Sequence, residues 1–287
     1  MDDKVTHVPL AELHPFPGHP FQLRDDDAMR DTVDSIKEYG VLVPAIVRPR
    51  EDGGYEIVSG HRRKYASELA GLETMPVIVR NLDRDAATIV MVDSNLQREN
   101  ILPSERAAAY KMKLEAIKRQ GARNDLTSGQ LVPKSDDNRT TAQIGADTGD
   151  SYKTVQRYIR LTNLIPEILQ YVDDGRISFT PAVELSYLNE QEQYDLLEQM
   201  ELNDCTPSLS QACRFKKMSQ EQGLTPEVIA AVMSEEKANQ REMFKVPMER
   251  IRQYVPNANA KQAEDFVLKA CEHYRKFLIR QRNRDER

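Results

Sequence analysis

The hydrophobic period of this chain changes once, near Asp85, and the change limits what can fold on either side of it. Before it, residues 5–80 alternate short apolar runs with one helical pattern. Val41 to Val47 and Tyr55 to Val58 read as strands joined by a turn at Asp52-Gly53-Gly54, and Met75 to Val79 as another strand. Asp27 to Tyr39 places Met29, Val33 and Ile36 on one helical face with Gly40 as its stop, and a short helix is expected over 62–70. After Asp85 the period is helical, and Pro103 with Ser104 opens a long helix through Ala107, Tyr110, Leu114 and Ile117 to Gly121. The pattern predicts an α+β protein, a small α/β unit followed by all-α segments. At 287 residues the chain suggests two or three domains.

Within the helical part, residues 141–161 scan as a helix-turn-helix. Thr141 is placed to cap a first helix carrying Ile144, the turn falls at Thr148-Gly149-Asp150, and Ser151 caps a second helix that buries Val155 and Ile159. Gln143, Ser151, Tyr152, Lys153, Thr154, Gln156, Arg157 and Arg160 are then the candidate DNA contacts. Gln and Arg are the side chains that read adenine and guanine edges by paired hydrogen bonds. The plainer reading is a helical hairpin with a solvated basic face. Upstream, residues 121–139 are rich in Gly, Ser, Asn and Asp without periodicity and are expected to be a flexible surface insertion.

The second chemical signal is a pair of anion-type strings, Val58 to Ala66 and Asn95 to Asn100. Gly60 lacks a Cβ and lets backbone approach a ligand, while Arg62 and Arg63 follow at a helix start, so dipole and guanidinium forks favour a phosphate together. Taken alone, such a string is more often a turn and a solvated helix start.

Four blocks in order set these strings in a wider pattern. His19-Pro-Phe-Gln-Leu-Arg24 is similar to Asn-Pro-x-Gln-Pro-Arg, and Gly40-Val-Leu-Val-Pro-Ala-Ile-Val-Arg48 to Gly-Leu-x-Gln-Pro-Ile-x-Val-Arg. Gly60-His-Arg-Arg-Lys-Tyr-Ala66 is similar to Gly-Glu-Arg-Arg-x-Arg-Ala, and Asn95-Leu-Gln-Arg98, followed by Pro103, Glu105, Ala107 and Tyr110, to the Glu-Asn-Leu-Gln-Arg block and its sequel. The set resembles the ParB partition proteins and their nucleoid-occlusion relatives. The resemblance implies a ParB/sulfiredoxin-like N-terminal domain with a cytidine triphosphate (CTP) pocket formed by Gln22, Arg24, Gly60, His61, Arg62, Arg63, Asn95, Gln97 and Arg98. It also implies Mg²⁺ with the nucleotide, a homodimer closing as a clamp on a parS-like DNA site, a ParA-like ATPase partner and a nucleoid-associated, cytoplasmic location. Two positions depart from the family pattern, because His61 and Ser94 stand where it has acids, leaving Asp93 one place earlier. Phosphoryl hydrolysis depends on carboxylate-held metal and an oriented water, so turnover is expected to be slow or absent, and no catalytic or metal-binding residue is assigned. The competing reading is a sequence-specific transcriptional regulator with a relic pocket. A sulfiredoxin-like enzyme is disfavoured, since His61 replaces its cysteine and Cys205, Cys213 and Cys271 lie far from the motifs.

The expected division is 1–100 nucleotide domain, 101–218 DNA-binding domain, 219–244 linker and 245–287 helical unit. In the last unit a helix over 261–282 lines Ala263, Phe266, Val267, Ala270, Tyr274, Phe277 and Leu278 along one face, a stripe that suits self-association. The run Arg275 to Arg284 reads either as added phosphate contacts or as a solvated tail. A net charge of −6 does not exclude DNA, because acids outnumber bases nine to six in residues 1–50 while bases outnumber acids twelve to seven in 241–287. DNA senses only the face within about a Debye length, roughly 8 Å. No stretch has the length and apolarity of a membrane span, no secretory leader is apparent, and the odd cysteine count fits reduced thiols with no assigned role.

Overall fold

Apolar alternation in the first eighty residues builds a five-stranded mixed sheet. The computed structural model describes residues 4–98, 100–128, 137–235, 246–256 and 259–285. In chain order, β1 (Val5–Pro9), β2 (Leu13–His14), α1 (Asp27–Tyr39), β3 (Ala45–Pro49), β4 (Tyr55–Ser59), α2 (His61–Leu69) and β5 (Thr74–Val79) complete the α/β part. The spatial order is β1-β5-β3-β4-β2, with β1–β5 and β3–β4 antiparallel and β3–β5 and β2–β4 parallel. One apolar cluster, including Val8, Leu13, Val47, Ile57, Met75 and Val77, fills the sheet, and a smaller one joins α1 to α2 through Met29, Val33, Ile36 and Ala66. The α1 helix has the expected bounds. Asp26 caps it by accepting from the Met29 N–H at 2.9 Å, and Gly40 stops it at φ 71°.

Helices follow: α3 (Arg84–Leu96), α4 (Pro103–Ser128), α5 (Asp137–Thr148), α6 (Tyr152–Leu161), α7 (Pro166–Asp173), α8 (Phe179–Leu185), α9 (Glu190–Leu202), α10 (Leu209–Gln220), α11 (Pro226–Met233), α12 (Met248–Arg252) and α13 (Ala260–Asp285). Val58 of β4, Met91 of α3, Tyr110 of α4, Ile144 of α5 and Val155 of α6 share one core, so sheet, long helix and helix-turn-helix are fastened by a single packed cluster. A separate core holds α7 to α11. The chain divides into two compact units, Met1–Glu235 and Glu236–Arg287.

Several expectations shift. The strand expected from Val41 begins at Ala45, because Leu42 and Val43 are exposed and the Val43 carbonyl accepts from the Arg63 guanidinium rather than from a ladder partner. The long helix does not stop at Gly121 but runs to Ser128. A lone exposed glycine costs a helix only about 1 kcal/mol. Helix α5 opens at Asp137, so Thr141 is a buried interior residue and not a cap. Of the stretch 121–139 expected to be a flexible insertion, 121–128 and 137–139 are helical, and 129–136 lies outside the described residues. Likewise the stretch 219–244 is not all linker. Leu224 and Val228 pack against the second core, which buries Ile229, Val232 and Met233 of α11, while 236–245 lies outside the described residues.

Candidate nucleotide pocket and nucleic-acid interface

The loop from Phe16 to Arg24 passes between α2 and the start of α4, and three backbone-directed contacts fix it. Glu105, buried in the first turn of α4, accepts from the Gln22 N–H at 2.8 Å and from the Leu102 N–H at 3.1 Å. His61, the first residue of α2, accepts the Phe16 N–H on Nε2 at 3.3 Å, and its ring lies 3.9 Å from that of His19. His19 Nδ1 donates to the Phe21 carbonyl at 2.9 Å. Burial first, then the neighbouring His19 and Arg98, push the His61 pKa from 6.5 to about 3. His61 is therefore a neutral acceptor with its proton on Nδ1.

The fixed loop walls a cavity of about 510 Å³ whose lining includes Gln22, Arg24, Arg62, Gln97, Arg98 and Glu105. Five of the nine sequence-predicted pocket residues thus meet there. Arg98 lies 5.8 Å over the Phe21 ring, and its pKa is lowered by burial first and then by the nearby Arg62. Cations crowded enough to disfavour one another's charge are stabilised by an anion between them. Arg62 is already paired with Asp26 at 3.3 Å, and Asp26 is held below the ordinary carboxylate range by the Met29 N–H first and by Arg62 after it.

The other four predicted residues do not line this cavity. Arg63 donates to the carbonyls of Val43 and Pro44, the latter at 2.7 Å, and so clamps the entry to β3. Gly60 sits at φ 118°, where an added Cβ would come within 2.7 Å of the Ala45 Cβ, so close strand packing demands the glycine. His61 props the loop as described. Asn95 is buried; its amide donates to the Met91 carbonyl at 2.7 Å, and its Oδ1 has no hydrogen-bond partner. Asp93, the fallback acid, is bonded to the Lys113 ammonium at 2.6 Å. Among the described residues no cluster of three or more His, Cys, Asp or Glu suits a metal ion. Asp26 and Glu105 also line the pocket, although the sequence reading assigned neither to it and had Glu105 only as part of the fourth block. Asp26 stands at the cap position before α1, and Glu105 acts through a partner 83 positions away.

The helix-turn-helix is built as the turn residues demand. Gly149 takes φ 78°, and the Ser151 hydroxyl caps α6 by accepting from the Thr154 N–H at 3.1 Å. Gly145, which the sequence reading passed over, lets α5 touch the turn. Its carbonyl accepts from the Asp150 N–H at 3.0 Å, and a Cβ there would fall 2.4 Å from the Asp150 carbonyl oxygen. Gln143, Ser151, Tyr152 and Lys153 are exposed, whereas Thr154, Gln156, Arg157 and Arg160 are half-buried. Arg157 lies 4.9 Å over the Phe179 ring and donates to Thr180 at 3.0 Å, while Arg160 lies 3.4 Å from the Tyr187 ring centre. Those two arginines are seated on or beside α8. A groove of about 550 Å³ beside α6 adds Lys111, Asn163 and Tyr187 to the basic face. Asn163 follows α6 directly in the chain, whereas only tertiary packing brings Lys111 and Tyr187 to it, so no spacing in the sequence marks those two.

Residues 1–96 match the ParB N-terminal domain and residues 134–206 the ParB HTH domain. The chain is 34% identical over 175 residues to the chromosome-partitioning protein Spo0J of Thermus thermophilus, covering 61% of this chain and 56% of that protein. It thus spans little more than half the length of that relative. A C-terminally truncated chromosome-partitioning protein ParB from Caulobacter crescentus, complexed to the centromeric parS site, overlays 75% of this chain and 99% of its own at 25% identity and a TM-score of 0.45. The same protein complexed with CTP-gamma-S overlays 69% and 99% at 28% identity and a TM-score of 0.32.

Proposed function

Given that the chain belongs to the ParB family of partition proteins, with the N-terminal domain over residues 1–96 and the HTH domain over 134–206, we propose that it is a DNA-segregation protein that grips duplex DNA through α5 and α6 and holds a cytidine nucleotide in the cationic cavity. The observation that carries the nucleotide half is the convergence of Arg24, Arg62 and Arg98 on one cavity of about 510 Å³, walled by a loop that Glu105 and His61 hold in place. A triphosphate fits such a site, since guanidinium forks match phosphate oxygens. A magnesium ion does not fit on protein ligands alone. Asp26, Glu105 and Asp93 are committed to Arg62, to two backbone N–H groups and to Lys113 respectively. Nucleotide binding without a strict magnesium requirement, and slow or absent hydrolysis, follow from that shortage of carboxylates.

The DNA half rests on the capped α6 with Lys153 and Tyr152 outward and on the basic groove beside it. A homodimer on a parS-like palindrome, a ParA-like ATPase partner and nucleoid association complete the proposal. The apolar face of α13, where Phe266, Tyr274, Phe277 and Leu278 are exposed, is in keeping with self-association. The side chains of residues 282–287 lie outside the description. No helix among the described residues is long and apolar enough to cross a membrane. Calorimetric titration with CTP, ATP and GTP, with and without magnesium, tests the reading. CTP is expected to bind and to lose its binding in Arg62→Ala. Silence for all three nucleotides would leave the alternative, a DNA-binding regulator that keeps the pocket only as structure.

A further inference from the structure

The groove of about 550 Å³ beside α6 draws cations from two helices. Lys111 of α4 and Lys153, Arg157 and Arg160 of α6 line it together with Tyr187, and no Asp or Glu stands in its lining. Four cations around one space without an acid make that space attractive to an anion. Among the described residues none of the four is paired with a carboxylate. Water serves the exposed Lys111 and Lys153, and Arg157 donates to Thr180 at 3.0 Å.

Arg160 is served worst. It is half-buried, its Nε is enclosed without a hydrogen-bond partner, and one terminal nitrogen donates to the Ser186 carbonyl over a long 3.4 Å. A charge withdrawn from water calls for a counter-ion, and here it has an aromatic ring in its place. The guanidinium carbon lies 3.4 Å from the centre of the Tyr187 ring, which is stacking distance. The same ring takes the Lys216 ammonium of α10 at 3.7 Å. That ammonium holds Glu184 at 2.8 Å, so the acid nearest in sequence to Tyr187 is already spent. Tyr187 therefore fixes the position of Arg160 and leaves its charge uncompensated.

We propose that this groove seats one backbone phosphate of the bound duplex, gripped by Lys111 and Arg160, with Tyr187 as the positioning residue that holds Arg160 in place. This rests on the DNA reading above and names the ligand group at one edge of that interface. A reading helix meets base edges with its N-terminal residues. Arg160 stands in the last turn of α6, about 12 Å along the axis from Tyr152 in the first. A cation so far back, joined by a lysine from another helix, meets the duplex at its backbone and carries affinity without sequence preference. A stacked guanidinium keeps its in-plane N–H groups for phosphate oxygens.

Three variants test it. Lys111→Ala removes an exposed cation from a helix that alanine suits, Tyr187→Leu removes the ring, and Tyr187→Phe keeps it. The probes are a labelled duplex recovered by the wild-type protein from a random-sequence pool and a scrambled duplex of the same composition, titrated between roughly 50 and 200 mM salt. Lys111→Ala should weaken both duplexes alike by about 3-fold or more, lower the salt slope by about 1 and leave the preference between the duplexes within about 2-fold of wild type. Tyr187→Leu should show the same signature, and Tyr187→Phe should track wild type in all three measures. A purely structural tyrosine would move the melting temperature and not the salt slope. An unchanged slope in Lys111→Ala or in Tyr187→Leu overturns the proposal. Loss of the preference in Tyr187→Leu puts Arg160 on a base and overturns the phosphate assignment, whereas a wild-type protein that recovers no duplex overturns the DNA reading together with it.

Discussion

Protonating His61 should destabilise the fold in a defined pH window, and the structure sets its size. The imidazole accepts the Phe16 N–H and is buried, with its pKa lowered from 6.5 to about 3. In the unfolded chain the same group titrates near 6.5, so between these values the unfolded state binds more protons and stability must fall as pH falls. The contribution is complete above about pH 6.5 and is lost progressively down to about pH 3. At pH 5 the loss is set by the unfolded state alone, because a folded imidazole of pKa about 3 is still neutral there. The unfolded chain gains 1.5 units times about 1.36 kcal/mol per unit, roughly 2 kcal/mol relative to pH 8. Urea denaturation followed by circular dichroism at pH 8, 6 and 5 measures it, with His61→Gln as the comparison, since the amide oxygen accepts a hydrogen bond and does not titrate. Wild type should lose about 2 kcal/mol more than His61→Gln between pH 8 and 5. Equal pH dependence of the two proteins would refute the buried neutral acceptor, whatever their absolute stabilities.

Gly145→Ala should lower stability by about 1 to 3 kcal/mol, because the new methyl meets the Asp150 carbonyl at 2.4 Å and backbone must move. A thermal melt unchanged from wild type would mean that α5 is not pressed on the turn as described. Lys153→Ala, at an exposed site on α6, should leave the melting temperature alone and reduce the salt dependence of DNA binding by about one unit of slope. Arg157→Ala should instead cost roughly 0.5 to 1 kcal/mol of stability as it leaves Phe179, and equal melts for the two variants would contradict that division of labour.

How much was legible depended on whether the deciding contacts were local. Asp26, Gly40, Gly149 and Ser151 act on backbone within four residues of themselves, so α1, the turn of the helix-turn-helix and its second helix stood in the sequence nearly to the residue, whereas the start of α5, four residues before the expected cap Thr141, did not. Arg62 and Arg98 announced an anion site by type and by a local string. Arg63 and His61, read from the same string, turned out to face Val43, Pro44 and Phe16 instead, since the tight glycine at 60 turns the helix start toward β3. Arg157 and Arg160 have the composition of base readers and the surroundings of packing residues, because Phe179 of α8 and Tyr187 just beyond it offer them aromatic faces.

By itself, then, the sequence determined the elements, the turns that punctuate them and the charge types available for nucleotide and DNA, because periodicity, caps and positive-φ glycines act over a few residues. Tertiary structure decided which of those charges are free and which are spent. Glu105 reaches a loop 83 positions away, and Lys113 gathers Asp93 and Asp147 from two helices 20 and 34 positions from its own place in the chain. The physical reason is that a buried charge must find its partner wherever packing puts it, and that distance in space leaves no trace in spacing along the chain.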